Sequence, residues 1–305
     1  MTAPPAGVEA DRPLARLTTV RTGGSADWLA RPGDDAALAA VLAWADAEGL
    51  DVGVVGSGSN LLVADDGFRG LVIKLDGELA RIERDGDRLL CGGGARLPKA
   101  AAHAAREGLA GLEFGVNIPG TVGGAVRMNA NAYGGELARV LDWVEITGPD
   151  GTERRGPERL GFAYRSSSLG PREIVARASF RLAPAEPAIV TATLAELRRR
   201  RREAQPAGIK TFGSTFKNPD DPRAEGRSAG VLLDEAGCRG LEVGGACFSE
   251  KHANFVENRG DATTADVVAL MAEGRRRVHA RFGVALEPEV QLLGDVDAGA
   301  LHGEP

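Results

Sequence analysis

The chain has 305 residues, 26% of them charged and 43% hydrophobic, with a formal net charge of −6 at pH 7. That length exceeds one ordinary domain and the hydrophobic fraction suffices for a sizeable core. The negative charge argues against general nucleic-acid binding, and no apolar run approaches the ~20 residues that cross a bilayer.

The amino terminus, Met-Thr-Ala-Pro-Pro, lacks the basic and apolar regions of a secretory signal, which predicts a cytoplasmic protein. Three cysteines (Cys91, Cys238, Cys247) have no Cys-x-x-Cys spacing and are expected to be reduced thiols. The four histidines, His103, His252, His279 and His302, are scattered and form no His-Glu-x-x-His pair, so no metal site is expected.

In chain order, Asp34 or Asp35 can cap a helix through Ala36-Ala-Leu-Ala-Ala-Val-Leu-Ala-Trp-Ala45, with Gly49 just past its end. Val52-Gly-Val-Val55 and Leu71-Val-Ile-Lys-Leu75 read as short buried strands. A hairpin is expected around Asp85-Gly86, and Pro98 sits in the first turn of a helix ending near Gly108. Residues 140–182 are mostly strand-like, and Ala183-Pro-Ala-Glu-Pro-Ala188 reads as a linker. A helix over residues 191–204 carries five consecutive arginines, Arg198 to Arg202, which usually marks a solvated face. A last long helix starts near Thr263 or Thr264, places Val267, Met271, Val278 and Phe282 along one side, and closes at Gly283. The tail after Gly294 is expected to fray.

Two glycine-rich loops interrupt this pattern: Gly56-Ser57-Gly58-Ser59-Asn60 and Ile118-Pro-Gly120-Thr121-Val-Gly123-Gly124-Ala125. Glycines at this density weaken regular structure, and they make sense where backbone must approach a ligand and offer successive N–H groups to an anion. Two tight turns are the simpler reading of either loop alone; together they favour a dinucleotide or nucleotide-sugar site. Neither loop carries the lysine of a P-loop. Leu61 stands where a Rossmann fingerprint needs its third glycine, and Leu61-Leu-Val63 reads as a strand. A nucleotide site of another architecture follows.

Three clusters in the second half have residue types suited to chemistry. Tyr164-Arg165-Ser-Ser-Ser168 offers a guanidinium for a carboxylate or phosphate, or else a surface arginine in a serine-rich loop. Phe212-Gly-Ser214-Thr-Phe-Lys217-Asn218-Pro219 combines a hydroxyl with donors for anionic oxygens; phenylalanines replace both glycines of a nucleophile elbow, which argues against a serine hydrolase. Leu286-Glu287-Pro-Glu289-Val290 would place both glutamates on one face of a strand, and the pattern alone gives neither a role.

Taken together these segments resemble the UDP-N-acetylenolpyruvoylglucosamine reductase family, from about Thr18 to Gly294. The matching motifs, in the family's order, are Thr18-Thr-Val-Arg-Thr-Gly-Gly24, Gly56-Ser-Gly-Ser-Asn-Leu61-Leu62, and Gly111-Leu-Glu-Phe114 with Ile118-Pro-Gly-Thr-Val-Gly-Gly124. Met128-Asn-Ala-Asn-Ala-Tyr-Gly134, Tyr164-Arg165, Gly213-Ser214 with Phe216-Lys-Asn-Pro219, Ser249-Glu-Lys-His-Ala-Asn-Phe255 and Glu289 complete the set.

The resemblance implies an α+β protein with an FAD-binding fold of the vanillyl-alcohol-oxidase (PCMH) type in two subdomains, followed by a C-terminal α+β substrate-binding domain. The expected limits are 15–185, with a subdomain boundary near 75, and 190–295, with tails at 1–14 and 296–305. It implies NADPH-dependent reduction of UDP-N-acetylglucosamine enolpyruvate to UDP-N-acetylmuramate through bound FAD, for peptidoglycan synthesis, with no nucleic-acid, membrane or obligate protein partner. Residues 56–61 and Gly120, Thr121, Gly123 and Gly124 would grip the FAD pyrophosphate through backbone N–H groups. Arg165 matches the family's charge-stabilising arginine, Ser214 its proton donor and Glu289 the glutamate across the intermediate. Tyr164, Lys217 and Asn218 are candidate substrate contacts.

Two features bear on the resemblance. Asn131 occupies the usual position of a glycine, where its tolerance of left-handed backbone would preserve the loop. The short interval between Arg165 and Ser214 resembles the class without a tyrosine-bearing insertion. A PCMH-type oxidase and a non-catalytic flavin- or nucleotide-sugar-binding protein are the alternatives.

Overall fold

A computed structural model describes residues 2–206 and 210–303. The sequence-derived tails 1–14 and 296–305 fall partly outside them, at Met1 and at residues 304 and 305. The chain opens with β1 (Val8–Pro13), β2 (Ser25–Ala30), α1 (Asp35–Ala47), β3 (Val52–Val54), β4 (Leu61–Val63) and β5 (Phe68–Ile73). Then come β6 (Ile82–Asp85), β7 (Arg88–Gly92), α2 (Leu97–Arg106), β8 (Leu109–Ala110), α3 (Val122–Arg127), β9 (Asn131–Ala132) and β10 (Gly135–Glu136). The strands β11 (Leu141–Gly148), β12 (Gly151–Arg155), β13 (Ile174–Arg181) and β14 (Ala183–Pro184) precede α4 (Pro187–Ala204). The remainder holds β15 (Thr211–Gly213), α5 (Ala229–Glu235), β16 (Glu242–Val243), β17 (Ala246–Phe248), β18 (Phe255–Asn258), α6 (Thr264–Phe282) and β19 (Gln291–Leu293). Helices beside mainly antiparallel sheets make this the expected α+β protein.

Local chemistry explains most of these elements. Asp34 caps α1 by accepting from Ala37 N–H at 2.8 Å. Leu38, Val41, Leu42 and Ala45 then follow the spacing of one buried face, and Gly49 leaves with φ +64°. The β6–β7 hairpin pairs Asp85 with Arg88, so its two-residue turn begins at Gly86, whose φ is +63°. In α6, Thr263 and Asp266 form a reciprocal capping box and Gly283 closes the helix at φ +69°. A Cβ at Gly274 would lie 2.9 Å from Phe248 Cε2, so this mid-helix glycine lets α6 approach the Phe248 ring of β17.

The chain divides into two compact units. The first contains the described residues up to Arg12, then Asp27–Ser57 and Arg69–Arg201; the second contains Pro13–Ala26, Gly58–Phe68 and the described residues from Arg202 on. In the first, a four-stranded sheet runs in the order β1-β2-β5-β3 and a five-stranded antiparallel sheet in the order β12-β11-β13-β7-β6. One core packs α1 on Leu71, Ile73 and Ile174, and another joins the alanine face of α2 to Leu89, Val144 and Phe180. The second unit has the sheet β15-β18-β17-β16, with α5 and α6 contributing to its core, and the parallel pair β19-β4. Val20 and Leu62 are buried in that same core, which explains why two short early segments belong to the C-terminal unit.

Three sequence expectations change. The linker at 183–188 is structured: Ala183 and Pro184 pair with Ala110 and Leu109, Ala185 N–H donates to Gly108 O at 2.8 Å, and α4 already begins at Pro187. The tail after Gly294 does not simply fray, because Leu301 is buried in the second core and Gly303 O accepts from Arg275 Nη2 at 2.9 Å. Residues 8–13, read as part of a tail, form β1, the outer strand of the first sheet.

Candidate functional site

The first glycine loop continues β3. A Cβ on Gly56 would lie 2.4 Å from Thr121 Oγ1, so the first of the two glycine-rich loops touches the second at the point where it lacks a side chain. Gly58 has φ +65° and packs on the Leu17 carbonyl, where a Cβ would approach to 1.9 Å. Lys74, at the end of β5, donates from Nζ to Gly56 O at 2.5 Å. A trans peptide points its C=O and the following N–H in opposite directions, so Lys74 turns the Ser57 N–H away from itself. Burial, reinforced by Arg31 and Arg96, holds the Lys74 pKa below its ordinary value. Sequence alone makes Lys74 part of a strand; a lysine closing a buried apolar run is the signal that marks it.

The second loop uses several of its own donors. Gly123 N–H donates to Gly93 O at 2.8 Å, and Gly124 N–H to Thr121 Oγ1 at 3.3 Å, the cap of α3. These two groups are therefore engaged within the protein rather than offered to an anion. Among the described residues, none accepts from the N–H groups of Ser57, Gly58, Ser59 or Asn60. Ser57 Oγ is buried without a hydrogen-bond partner, an arrangement that costs free energy unless a ligand supplies one. A Cβ at Gly120 would meet only Ile118 Cγ2, at 3.9 Å, so the backbone there is approachable. Within the first unit, the free Ser57 N–H, its orphaned hydroxyl and the stripped backbone at Gly120 fit the diphosphate of a dinucleotide cofactor such as FAD.

Arg165 lies in the first unit, at the tip of a tight turn. Ala163 and Ser166 exchange both backbone hydrogen bonds, at 3.1 and 3.2 Å, leaving Tyr164 and Arg165 as the central residues. Arg165 has φ +57°, as the third position of a type II turn requires. The turn is anchored by Asn129, whose Nδ2 donates to Ala163 O at 3.2 Å and to Glu136 Oε1 at 2.9 Å. Ser167 Oγ also donates to Arg127 O at 2.8 Å. Arg165 Nη1 reaches Asn131 Oδ1 at 2.8 Å, and its guanidinium lies 5.1 Å from the centre of the half-exposed Tyr164 ring.

Asn131 does not adopt the left-handed backbone expected of it. It is the first residue of β9, and Asn129, Tyr133 and Gly134 carry the positive φ values of this loop instead.

The second unit brings Ser214 and Glu289 to adjacent segments. Glu289 N–H donates to Thr215 O at 2.9 Å, Phe216 bridges Pro288, and Lys217 N–H donates to Glu287 O at 2.9 Å. Asn254 locks this segment: its Oδ1 accepts from Phe216 N–H and its Nδ2 donates to Phe216 O, both at 2.9 Å. The Asn254 carbonyl accepts from Thr215 N–H and Oγ1 as well. Gly213 is needed beside it, since a Cβ would sit 2.6 Å from Phe255 Cγ and 2.7 Å from Asn254 O. Asn60 spans to the same place, donating from Nδ2 to Glu289 O at 3.1 Å while its carbonyl accepts from Gln291 N–H.

Of the proposed substrate contacts, Lys217 is ion-paired with Glu287, and Asn218 Oδ1 accepts from Ala229 N–H, the first residue of α5. Asn254 has no role that sequence alone assigns; its place in the motif ending at Phe255 is the available signal. In the arginine run, Arg198, Arg199, Arg200 and Arg202 are exposed, with Arg199 and Arg200 both paired to Glu196. Arg201 is half-buried, and burial lowers its pKa. The cysteines are free and buried; burial pushes Cys91 up to about 12 and Cys238 to about 11, which keeps both protonated. Among the described residues no group of ligating side chains forms a metal site, and no helix is long and apolar enough to cross a membrane.

Residues 26–156 match the model of an FAD binding domain, and residues 205–293 match the UDP-N-acetylenolpyruvoylglucosamine reductase C-terminal domain. The chain is 47% identical over 95% of its length to UDP-N-acetylenolpyruvoylglucosamine reductase 2 of Symbiobacterium thermophilum, of which the match covers 93%. It is 46% identical to the corresponding reductase of Anaeromyxobacter dehalogenans strain 2CP-1, over 96% of this chain and 88% of that one. The crystal structure of the reductase from Thermus caldophilus superimposes with a TM-score of 0.81 at 38% identity, over 94% of this chain and 98% of that chain. This chain belongs to the UDP-N-acetylenolpyruvoylglucosamine reductase family.

Proposed function

We propose that the protein reduces UDP-N-acetylglucosamine enolpyruvate to UDP-N-acetylmuramate with NADPH, in the cytoplasm, as a step of peptidoglycan precursor synthesis. FAD, when bound, would supply hydride-transfer chemistry between NADPH and the methylene carbon of the enolpyruvyl ether. The N–H and Oγ of Ser57, with the exposed backbone at Gly120, would hold its diphosphate; Lys74 and Thr121 shape the backbone at Gly56.

Hydride addition to the methylene carbon leaves negative charge on the neighbouring carbon and its carboxylate. Arg165 stabilises that charge, the kind of preorganised electrostatic help that dominates such steps. Ser214 then delivers a proton to the α-carbon. A serine hydroxyl is a weak acid, so its surroundings must polarise it as it donates. Glu289 acts on the other side of the intermediate. The lock of Asn254 on Phe216 and the Thr215–Glu289 hydrogen bond keep Ser214 and Glu289 in fixed register.

The observation that carries this reading is that register. The backbone pairing of the segments that carry Ser214 and Glu289 supports it, as does the buried, unsatisfied Ser57 hydroxyl of the first glycine loop. The test is an anaerobic visible spectrum of the purified protein during addition of NADPH and then UDP-N-acetylglucosamine enolpyruvate. Bleaching followed by recovery is expected. Bleaching without recovery would refute the substrate, and a colourless protein unable to take up FAD would refute the whole assignment.

A further inference from the structure

Asn131 is a polar residue in a short strand whose backbone makes no special demand on it. Its φ is ordinary, and β9 pairs with β10 through Asn131–Glu136 and Ala132–Gly135. A side chain here is therefore not explained by the turn. Its amide oxygen instead meets Arg165 Nη1 at 2.8 Å across 34 positions of sequence, and the Asn131 carbonyl lies 3.4 Å from the same nitrogen.

Arg165 needs such a partner. It sits at the tip of a two-residue turn, on a long side chain that carries substantial rotamer entropy. Electrostatic stabilisation of a developing charge works when the donor is already oriented, so that no reorganisation is required during reaction. An amide oxygen fixes one nitrogen without subtracting from the guanidinium charge, as a carboxylate at the same place would. Asn129 supports the arrangement from the other side, holding Ala163 O at the base of the turn.

We infer that Asn131 is a positioning residue for Arg165: it holds the guanidinium in one orientation for the charge that develops on the enolpyruvyl carboxylate. This inference rests on the reaction proposed above. It assigns a use to a side chain that the backbone of β9 does not require.

The test combines kinetics with a direct view of the guanidinium. In Asn131→Ala, flavin reduction by NADPH should match the native protein, while reoxidation by the enolpyruvyl sugar should slow by about ten- to a hundredfold, as expected for one lost hydrogen bond to a charged group. Arg165→Lys should also slow reoxidation, and the double variant should be no slower than Arg165→Lys alone, because the two residues act as one unit. Multiplicative effects, or equal loss in both half-reactions, would overturn the inference.

Nitrogen-15 spectra of the arginine side chains, with Arg165 identified by its loss in Arg165→Lys, give an arm independent of turnover. Separate Nη1 and Nη2 signals are expected in the native protein, merging in Asn131→Ala. Merged signals already in the native protein would overturn the positioning role, even if the native enzyme reduces the sugar. Failure of the native enzyme to be reoxidised by the sugar would refute the reaction, while the spectra would still decide whether Asn131 orients Arg165.

Discussion

Ser214 and Glu289 lie 75 positions apart in the chain, with 214 preceding 289, and yet sit on neighbouring segments joined by the Thr215–Glu289 hydrogen bond. Replacing Ser214 by Ala removes one hydroxyl from a backbone that Asn254 holds independently. Reduction of the flavin by NADPH should persist, while the single-turnover rate with the enolpyruvyl sugar falls by about 10²–10⁴-fold, the usual range for a positioned acid. Equal losses in both half-reactions would remove the proton-donor role. His252 offers a second residue-scale test. Burial, with Arg239 adding to it, keeps its pKa below the ordinary value near 6.5; Asp234 acts in the opposite sense. The Phe255 ring meets it edge-on, and its Nδ1 accepts from Asn254 N–H. As pH falls, the unfolded chain takes up the proton first, so this contribution to stability is complete above about pH 6.5 and declines on going below it. Urea midpoints measured from pH 8 to 5.5 should drop more steeply for the native protein than for His252→Gln. Parallel curves would show that His252 does not carry this dependence.

At the scale of elements, the sequence was most informative where chemistry is local. The start of α1 at Asp34, the turn at Gly86 and both ends of α6 follow from caps and glycines within a few residues. Thr263→Ala should cost about 1 kcal/mol, since it breaks one half of the capping box; urea denaturation would measure it, and no change would mean that the other half suffices. The first glycine loop makes a sharper demand. At Gly58 an alanine meets both a left-handed backbone and the Leu17 carbonyl. The variant should retain about tenfold less FAD after purification, from the ~1–2 kcal/mol cost of that backbone alone. Full FAD content would show that the loop relaxes. The segment at 183–188 illustrates the limit of local reading. Its prolines and alanines suggested a linker, but Ala183 and Pro184 find partners in β8, more than 70 positions earlier by number.

For the molecule as a whole, two units share the sequence unevenly, the second taking back residues 13–26 and 58–68 from the amino-terminal half. Composition carries no trace of that exchange, because it depends on Val20 and Leu62 finding a core built mainly from residues beyond 210. A cofactor that binds only the folded protein stabilises it by mass action. Adding FAD at about one hundred times its Kd should therefore raise the free energy of unfolding by about 2.7 kcal/mol. A melting temperature indifferent to FAD would show that the glycine loops do not bind it.

The sequence by itself determined the family, the α+β class, the glycine loops and the identities of Arg165, Ser214 and Glu289 as candidates, because these depend on short motifs and on residue types that few other sites require. It also located most helices and turns, whose caps act over three or four residues. Only the tertiary structure decided that Lys74 holds Gly56, that Asn254 locks Phe216, that Asn131 meets Arg165, and that Gly123 and Gly124 spend their N–H groups internally. Each of these is a pairing between distant segments or a choice among several available acceptors. Such choices are made by packing, which leaves no periodic or compositional mark in the chain.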